Sequence, residues 1–455
     1  MPEHPPHAEE VAKSARLASH LLQTATPEQI SQALTAIKSL LAERKDEILA
    51  ENKKDLEKAK LDVQNGKLSQ SLYKRLDLAG EKFNSLLEGV SDVDKLPSPV
   101  GQVTLATKLD DGLDLYRVTC PVGVLLIIFE ARPEVVVQIS CLALKSGNAV
   151  ILKGGKEASH SNSILMRTLQ DALDSVQGIP KTAVQLVETR DDISALLKLD
   201  PWIDLVIPRG SKQLVTHVQE NTRIPVLGHA DGLCATFIDE SADLSKAISV
   251  VVDAKTSYPA ACNTTETLLV HRSAASRILP GLSQALIQKG VELRADEESR
   301  QYLPAASDKI KPSVQEDYDT EFLDLILAVK TVSDLEEAIS HINQHGSHHT
   351  DAIVTESEEN ARAFMQKVDA AGVFWNASTR FADGFRFGFG AEIGVSTNKT
   401  HARGPVGLEG LVIYKYKLFG SGHATADYGS GKRRYIHEPI DKDTVAAKRA
   451  KHSSA

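Results

Sequence analysis

The chain has 455 residues, 42% of them apolar and 25% charged, and a formal net charge of -9. About two or three domains are expected at that length, and the acidic balance argues against a general nucleic-acid binder. No apolar run is long enough for a membrane span, the first residues read as a frayed tail without a secretory leader, and four cysteines in no C-x-x-C pattern fit free thiols in a reducing compartment, so the cytoplasm is expected.

A first helix is predicted over residues 9–22. A second opens on Thr26-Pro27-Glu28-Gln29, a capping box with proline at the first helical position. Its apolar stripe reads Ile30, Leu34, Ile37, Leu41 and then Ile48. The lysine-rich face through Lys60 reads as solvated surface. One more helix is expected over residues 69–90, and residues 103–119 alternate as half-exposed strands do. From Gly123 the rhythm becomes strand, helix, strand. Residues 124–129 form a continuous apolar strand, and Pro133 opens a helix that closes at Gly147 in the C′ position. Residues 149–152 are the next strand, and Gly154-Gly155 turns the chain into a helix over 159–177. Strands at 184–187, 205–207 and 235–238 follow, then a second set at 267–270, 325–329, 352–354 and 373–375. Strands alternating with helices imply parallel, doubly wound sheets buried on both faces, here in two α/β lobes.

Cys262 is the cysteine whose neighbours are small and polar, in Lys255-Thr-Ser-Tyr-Pro-Ala-Ala-Cys-Asn-Thr-Thr-Glu266. A thiol at such a helix-to-strand junction can face solvent, with its thiolate stabilised by main-chain N–H groups. Cys120, Cys141 and Cys234 lie in apolar surroundings and read as core. Lys153-Gly154-Gly155-Lys156 leaves a buried strand and enters a helix, where an open parallel sheet binds nucleotides. Arg209-Gly210-Ser211 is a second turn of that kind, with a helix N-terminus for an anion. No Gly-x-Gly-x-x-Gly fingerprint follows a strand; the run Gly388–Gly394 has the wrong spacing. His341 and His345 share a helix face, but no carboxylate or cysteine is placed to complete a shell, and no metal is expected. The glycine-rich stretch 384–410 carries Arg386, Lys399, His401 and Arg403, which suit an anionic substrate or a subunit contact.

Together these residues resemble the gamma-glutamyl phosphate reductases, a branch of the aldehyde dehydrogenase superfamily. The resemblance covers residues 12–428 and is most specific in Phe129-Glu130-Ala131-Arg132-Pro133, in 332–353 and in 386–411. It implies an aldehyde dehydrogenase-like α/β fold with two doubly wound parallel-sheet lobes and a small β extension for oligomerisation. The implied division is 1–102 with 121–235 for NADP, 236–405 for catalysis, 103–120 with 406–430 for oligomerisation, and 431–455 as a polar tail. The implied reaction is reduction of an acyl phosphate by NADPH in proline synthesis, in a homodimer or homotetramer. Contact with glutamate 5-kinase, which makes the acyl phosphate, is a further implied partner; nucleic acid and membrane are not.

By this resemblance Cys262 matches the nucleophile, Lys153 the lysine on the adenosine ribose, and Glu321 the acid on the nicotinamide ribose. Arg132, His229, Lys399 and Arg403 are candidates for substrate. Lys156 stands where NAD-preferring relatives often carry an acid, and a cation there favours a 2′-phosphate. Hydrolytic members hold a glutamate base in a run that reads here Val226-Leu227-Gly228-His229-Ala230-Asp231-Gly232. A thioester discharged by hydride or phosphate needs no such base. Oxidising members place an asparagine donor after the first buried strand, where Glu130-Ala131-Arg132-Pro133 stands. An aldehyde dehydrogenase releasing free acid is the alternative; a cofactor-free cysteine enzyme would leave Lys153, Lys156 and the parallel sheet idle, and an inactive scaffold predicts loss of the nucleophile, whereas Cys262 is present.

Overall fold

A computed structural model describes residues 6–228, 231–305 and 307–441. The chain forms two compact units: Met1–Gly210 with His217–Val226 and Gly407–Ala455, and Ser211–Thr216 with Leu227–Val406.

The helices that open the first unit are α1 (Pro6–Leu22), α2 (Pro27–Glu43), α3 (Lys45–Gln64), α4 (Gln70–Leu76) and α5 (Glu81–Lys95). The capping box at Thr26 forms: its hydroxyl accepts from Gln29 N–H, and the Gln29 side chain accepts from Thr26 N–H. Two expected helices break. The stripe through Ile48 belongs to α2 and α3 in turn, with Arg44 leaving the α region at the joint; apolar spacing continues across it, so periodicity carries no sign of the bend. The helix expected over 69–90 splits at Asp77–Gly80, where Gly80 has φ +66°, which glycine adopts without a Cβ clash. The alternating segment is a hairpin, β1 (Val103–Asp110) and β2 (Leu113–Pro121), turned at Asp111-Gly112.

Next come β3 (Val124–Phe129), α6 (Glu134–Lys145), β4 (Ala149–Lys153), α7 (Ser159–Asp174), β5 (Val184–Val187), α8 (Arg190–Leu196), β6 (Leu205–Arg209) and α9 (Lys212–Asn221). The sheet order is β5-β4-β3-β6 with every pair parallel. Every residue of β3 and β4 is buried, as an all-parallel sheet with both faces covered requires. Strand order reverses at β3, so the turns after β3, β4 and β6 meet at a topological switch point.

The second unit holds β7 (Cys234–Ile238), α10 (Leu244–Thr256), β8 (Thr265–His271), α11 (Arg272–Gln288), β9 (Glu292–Ala295), α12 (Glu297–Arg300), β10 (Ile310–Pro312), β11 (Ile326–Val332), α13 (Leu335–His345), β12 (Thr350–Val354), α14 (Glu358–Lys367) and β13 (Gly372–Trp375). They form a seven-stranded parallel sheet, β10-β9-β11-β8-β7-β12-β13, with apolar cores on both faces. A short antiparallel pair follows, β14 (Gly394–Ser396) and β15 (Gly404–Val406). The chain then returns to the first unit. There β16 (Val412–Phe419) and β17 (Glu438–Pro439) complete the sheet β16-β2-β1-β17. No helix among the described residues is long and apolar enough to cross a membrane.

Candidate active site

In the first unit the sequence-predicted cofactor residues lie at carboxyl ends of strands. Lys153 ends β4 and Arg209 ends β6, where it pairs in register with Phe129 of β3; Gly210 follows. Lys153 is buried and Lys156 is exposed. A Cβ on Gly154 would stand 2.1 Å from the Asn162 amide nitrogen and 3.2 Å from the Phe129 ring, so only glycine keeps the backbone there. Among the described residues the buried Asn162 amide oxygen has no hydrogen-bond partner, an acceptor left over beside that backbone. The α7 N-terminus is closed from within: Asp55 accepts from His160 N–H, Ser161 N–H and the Ser161 hydroxyl, the last at 2.7 Å. Of the two predicted turns, the helix end after Gly154-Gly155 is therefore already taken. Ala131, at φ +46°, donates its N–H to Glu157 Oε1 at 2.6 Å, tying the turn after β3 to the turn after β4. Arg132 is half-buried in that first turn. A buried lysine at a strand end, a glycine-lined approach and an exposed cation fit a nicotinamide cofactor.

In the second unit the neighbouring strands β11, β8 and β7 are each entered by a turn that carries a site residue: Glu321, Cys262 and Gly232 respectively. Cys262 is half-buried in the turn that leads from α10 to β8. A Cβ on Gly232 would fall 2.1 Å from the Cys262 carbonyl oxygen, so the two backbones touch. Gly232 N–H donates to Glu321 Oε1 at 3.0 Å, which brings Glu321 to the same place. The buried Cys234 thiol donates to the Cys262 carbonyl at 3.4 Å. Among the described residues no main-chain carbonyl outside helices and strands accepts from Cys262 N–H or Asn263 N–H.

Lys255 and Glu266, the two ends of the polar stretch, form a buried ion pair at 2.5 Å. Their exposures are 0% and 1%, so the bracket around Cys262 is closed inside the core. Burial pushes the Glu266 carboxyl up and the Lys255 ammonium down, each held back by the other's charge. Glu266 Oε1 also accepts from Leu323 N–H at 3.3 Å, and Leu323 is held at φ +55°. One carboxylate therefore fixes the Cys262 turn and the segment bearing Glu321.

Three residues that sequence reasoning did not assign join the site: Lys255, Glu266 and Arg380. Nothing local marks them, since their partners lie far along the chain or are visible only once burial is known. Lys399 and Arg403 both pair with Asp369, at 2.6 and 3.0 Å. His229 lies outside the described residues. His341 and His345 are on α13; His345 pairs with Asp319 at 2.7 Å, and burial lowers His341 to about 4.

Residues 4–319 match the aldehyde dehydrogenase family. A probable gamma-glutamyl phosphate reductase of Schizosaccharomyces pombe is 53% identical over 444 residues, covering 96% of this chain and 98% of its own. The gamma-glutamyl phosphate reductase of Acetivibrio thermocellus is 52% identical over 433 residues, covering 95% and 98%. The crystal structure of the gamma-glutamyl phosphate reductase of Thermotoga maritima superposes with a TM-score of 0.87 at 41% identity, covering 92% of this chain and 99% of its own.

Proposed function

Since this chain belongs to the aldehyde dehydrogenase family and, within it, to the gamma-glutamyl phosphate reductases, we propose that it reduces L-glutamyl 5-phosphate to L-glutamate 5-semialdehyde with NADPH. Phosphate is released, and the reaction is the second step of proline synthesis from glutamate.

The observation that carries the residue assignment is the seat of Cys262: half-buried, pressed against Gly232, and bracketed by a buried ion pair. The Cys262 thiolate attacks the acyl carbonyl carbon. A sulfur–carbon bond forms, the carbon–oxygen bond to phosphate breaks, and the electron pair leaves with phosphate, so a thioester remains on Cys262. Main-chain N–H groups at Cys262 and Asn263 would receive the tetrahedral oxyanion. Lys153, Lys156, Arg209, Gly210 and Ser211 would hold the adenosine and phosphate portions of the cofactor, and Glu321 its nicotinamide ribose. A reduced nicotinamide held by these residues would supply a hydride to the thioester carbonyl carbon, and the sulfur–carbon bond would then break, returning the electron pair to Cys262. The exposed cation at Lys156 supports NADP over NAD.

The edge strand β16 leaves Ile413, Tyr414, Tyr416, Leu418 and Phe419 exposed by 45–58%, an apolar edge that pairing with another copy would cover. This supports a homodimer or homotetramer, and the four free cysteines fit the reducing cytoplasm. A reactive acyl phosphate also favours contact with the glutamate 5-kinase that supplies it.

The deciding experiment runs the reaction backwards, with glutamate 5-semialdehyde, NADP+ and inorganic phosphate. Turnover should require phosphate and should fall by about 1,000-fold or more in Cys262→Ala. Phosphate-independent oxidation to the free acid would instead establish the aldehyde-oxidising alternative.

A further inference from the structure

The acyl phosphate brings an anion to Cys262, and two of the cations predicted to meet it, Lys399 and Arg403, are committed to Asp369. A different arginine lies on the Cys262 segment itself. After β13 the chain makes a tight turn, Thr379–Phe381. Thr379 Oγ1 donates to the Asn263 carbonyl at 2.6 Å, and Asn263 Nδ2 donates to the Ala382 carbonyl at 2.9 Å. This locks the turn against the residue that follows Cys262. From it Arg380 reaches back: Nη1 donates to Asn263 Oδ1, Nε donates to Ser257 Oγ at 3.2 Å, and the guanidinium stands 5.8 Å from the Tyr258 ring centroid. Three residues of the nucleophile's own segment thus hold one planar cation.

Arg380 forms no ion pair among the described residues, although it is half-buried. Burial holds its guanidinium below the usual range, Arg386 pushes the same way, and the charges of Cys262, Asp253 and Asp383 pull back. Arg386 meets Asp383 only at 3.6 Å, with both side chains part-exposed, and an incoming anion would relieve the repulsion between the two arginines beside the thiol. A guanidinium's fork of donors matches phosphate oxygens, and its fixed charge neutralises a leaving phosphate without giving up a proton.

We propose that Arg380, with Arg386 as the second cation, holds the phosphate group that Cys262 displaces. The inference rests on Cys262 being the nucleophile. In the forward direction the carbon–oxygen bond breaks and its electron pair passes to a phosphate oxygen held at Arg380. In reverse that oxygen attacks the thioester carbonyl, and the pair returns to sulfur as the carbon–sulfur bond breaks.

The test is steady-state kinetics of the reverse reaction in wild type, Arg380→Lys, Arg380→Gln and Arg386→Gln. Arg380→Gln should raise the KM for inorganic phosphate by about 10- to 100-fold, with Arg380→Lys and Arg386→Gln between. The KM for the semialdehyde and the Kd for NADPH should stay within about threefold. An unchanged phosphate KM overturns the proposal. So does a rise confined to the semialdehyde KM, which would give Arg380 to the substrate's carboxylate. Should Arg380→Gln turn over too slowly to measure, inorganic phosphate should still slow iodoacetamide alkylation of Cys262 in wild type and not in the variant; equal protection overturns it. The underlying reading fails separately, if wild-type enzyme alkylated at Cys262 keeps its phosphate-dependent turnover.

Discussion

The two units place their candidate residues at opposite ends of parallel strands. In the first, Lys153 and Arg209 end β4 and β6, with glycine turns that lead into helices. In the second, Gly232, Cys262 and Glu321 precede β7, β8 and β11, at the amino ends. Carboxyl-end turns bring helix N-termini and main-chain N–H groups toward a phosphate, and that field needs little from distant sequence. Amino-end turns bring no such field. The second unit instead assembles its site from side chains: a buried ion pair, a carboxylate on a glycine N–H, and an arginine on an asparagine. Helix and strand geometry suffices to offer an anion site; seating Cys262 takes tertiary contacts.

The largest effect should come from breaking the ion pair. Glu266→Leu leaves Lys255 charged and unpartnered in the core, and it should destabilise the protein by about 3–5 kcal/mol. The double variant Lys255→Met/Glu266→Leu should regain most of that stability, because it removes both buried charges. Denaturant unfolding measures both. If the single variant were as stable as wild type, the second unit's site would not depend on the pair, and the contrast with the first unit would collapse.

Next in size is Gly232→Ala. Its Cβ would stand 2.1 Å from a main-chain oxygen that cannot swing aside, so the Cys262 turn has to move. A displacement of about 1 Å at a nucleophile costs on the order of 100-fold in kcat. NADPH affinity should change far less than kcat; equal losses in both would mean that Gly232 supports Glu321 more than Cys262.

The same contrast governs what could be read from sequence. The strand at β3, the helix stop at Gly147 and the capping box at Thr26 follow from composition within a few residues, and each is where it was expected. The joint at Arg44 was not legible, because the apolar spacing of α2 runs on into α3 and the bend is set by packing. Cys262 stands out by its polar flanks. Glu321 came only through family resemblance, since Gly232, its partner, is 89 residues away. Arg380 had no mark at all: its value lies in touching Asn263, Ser257 and Tyr258, which are more than a hundred positions back.

A pH-dependent effect sharpens the picture of a unit that buries titratable groups. Asp351 of β12 is buried, and burial pushes its carboxyl up to about 7 against the pull of the Ala235 N–H it accepts. Between an unfolded value of 3.8 and the folded value of about 7, the folded chain keeps a proton that the unfolded chain has lost. Its contribution to stability is therefore full below that window and falls as pH rises through it, by up to about 1.4 kcal/mol per pH unit. Asp351→Asn keeps an acceptor for Ala235 N–H and has nothing to ionise. The variant's stability relative to wild type should rise from pH 4 to pH 7 and then level; parallel pH profiles would assign the slope to other groups.

The smallest effect belongs to the first unit and follows from how it recognises its ligand. Lys153 is buried at a strand end, so replacing it would disturb both packing and contact. Lys156, three residues on, is exposed and free of that ambiguity. Lys156→Glu exchanges a cation for the acid that a 2′-hydroxyl would prefer, and it should weaken NADPH binding about tenfold while NADH binding holds or improves. Fluorescence titration with both cofactors reads the ratio directly, and the melting temperature should not move, because the side chain is in solvent. An unchanged NADPH affinity would move cofactor choice to another turn of the same switch point, with the α9 N-terminus and Arg209 next in line. In either case discrimination would stay at the carboxyl ends of the first sheet, where one exposed charge can be exchanged without rebuilding what surrounds it.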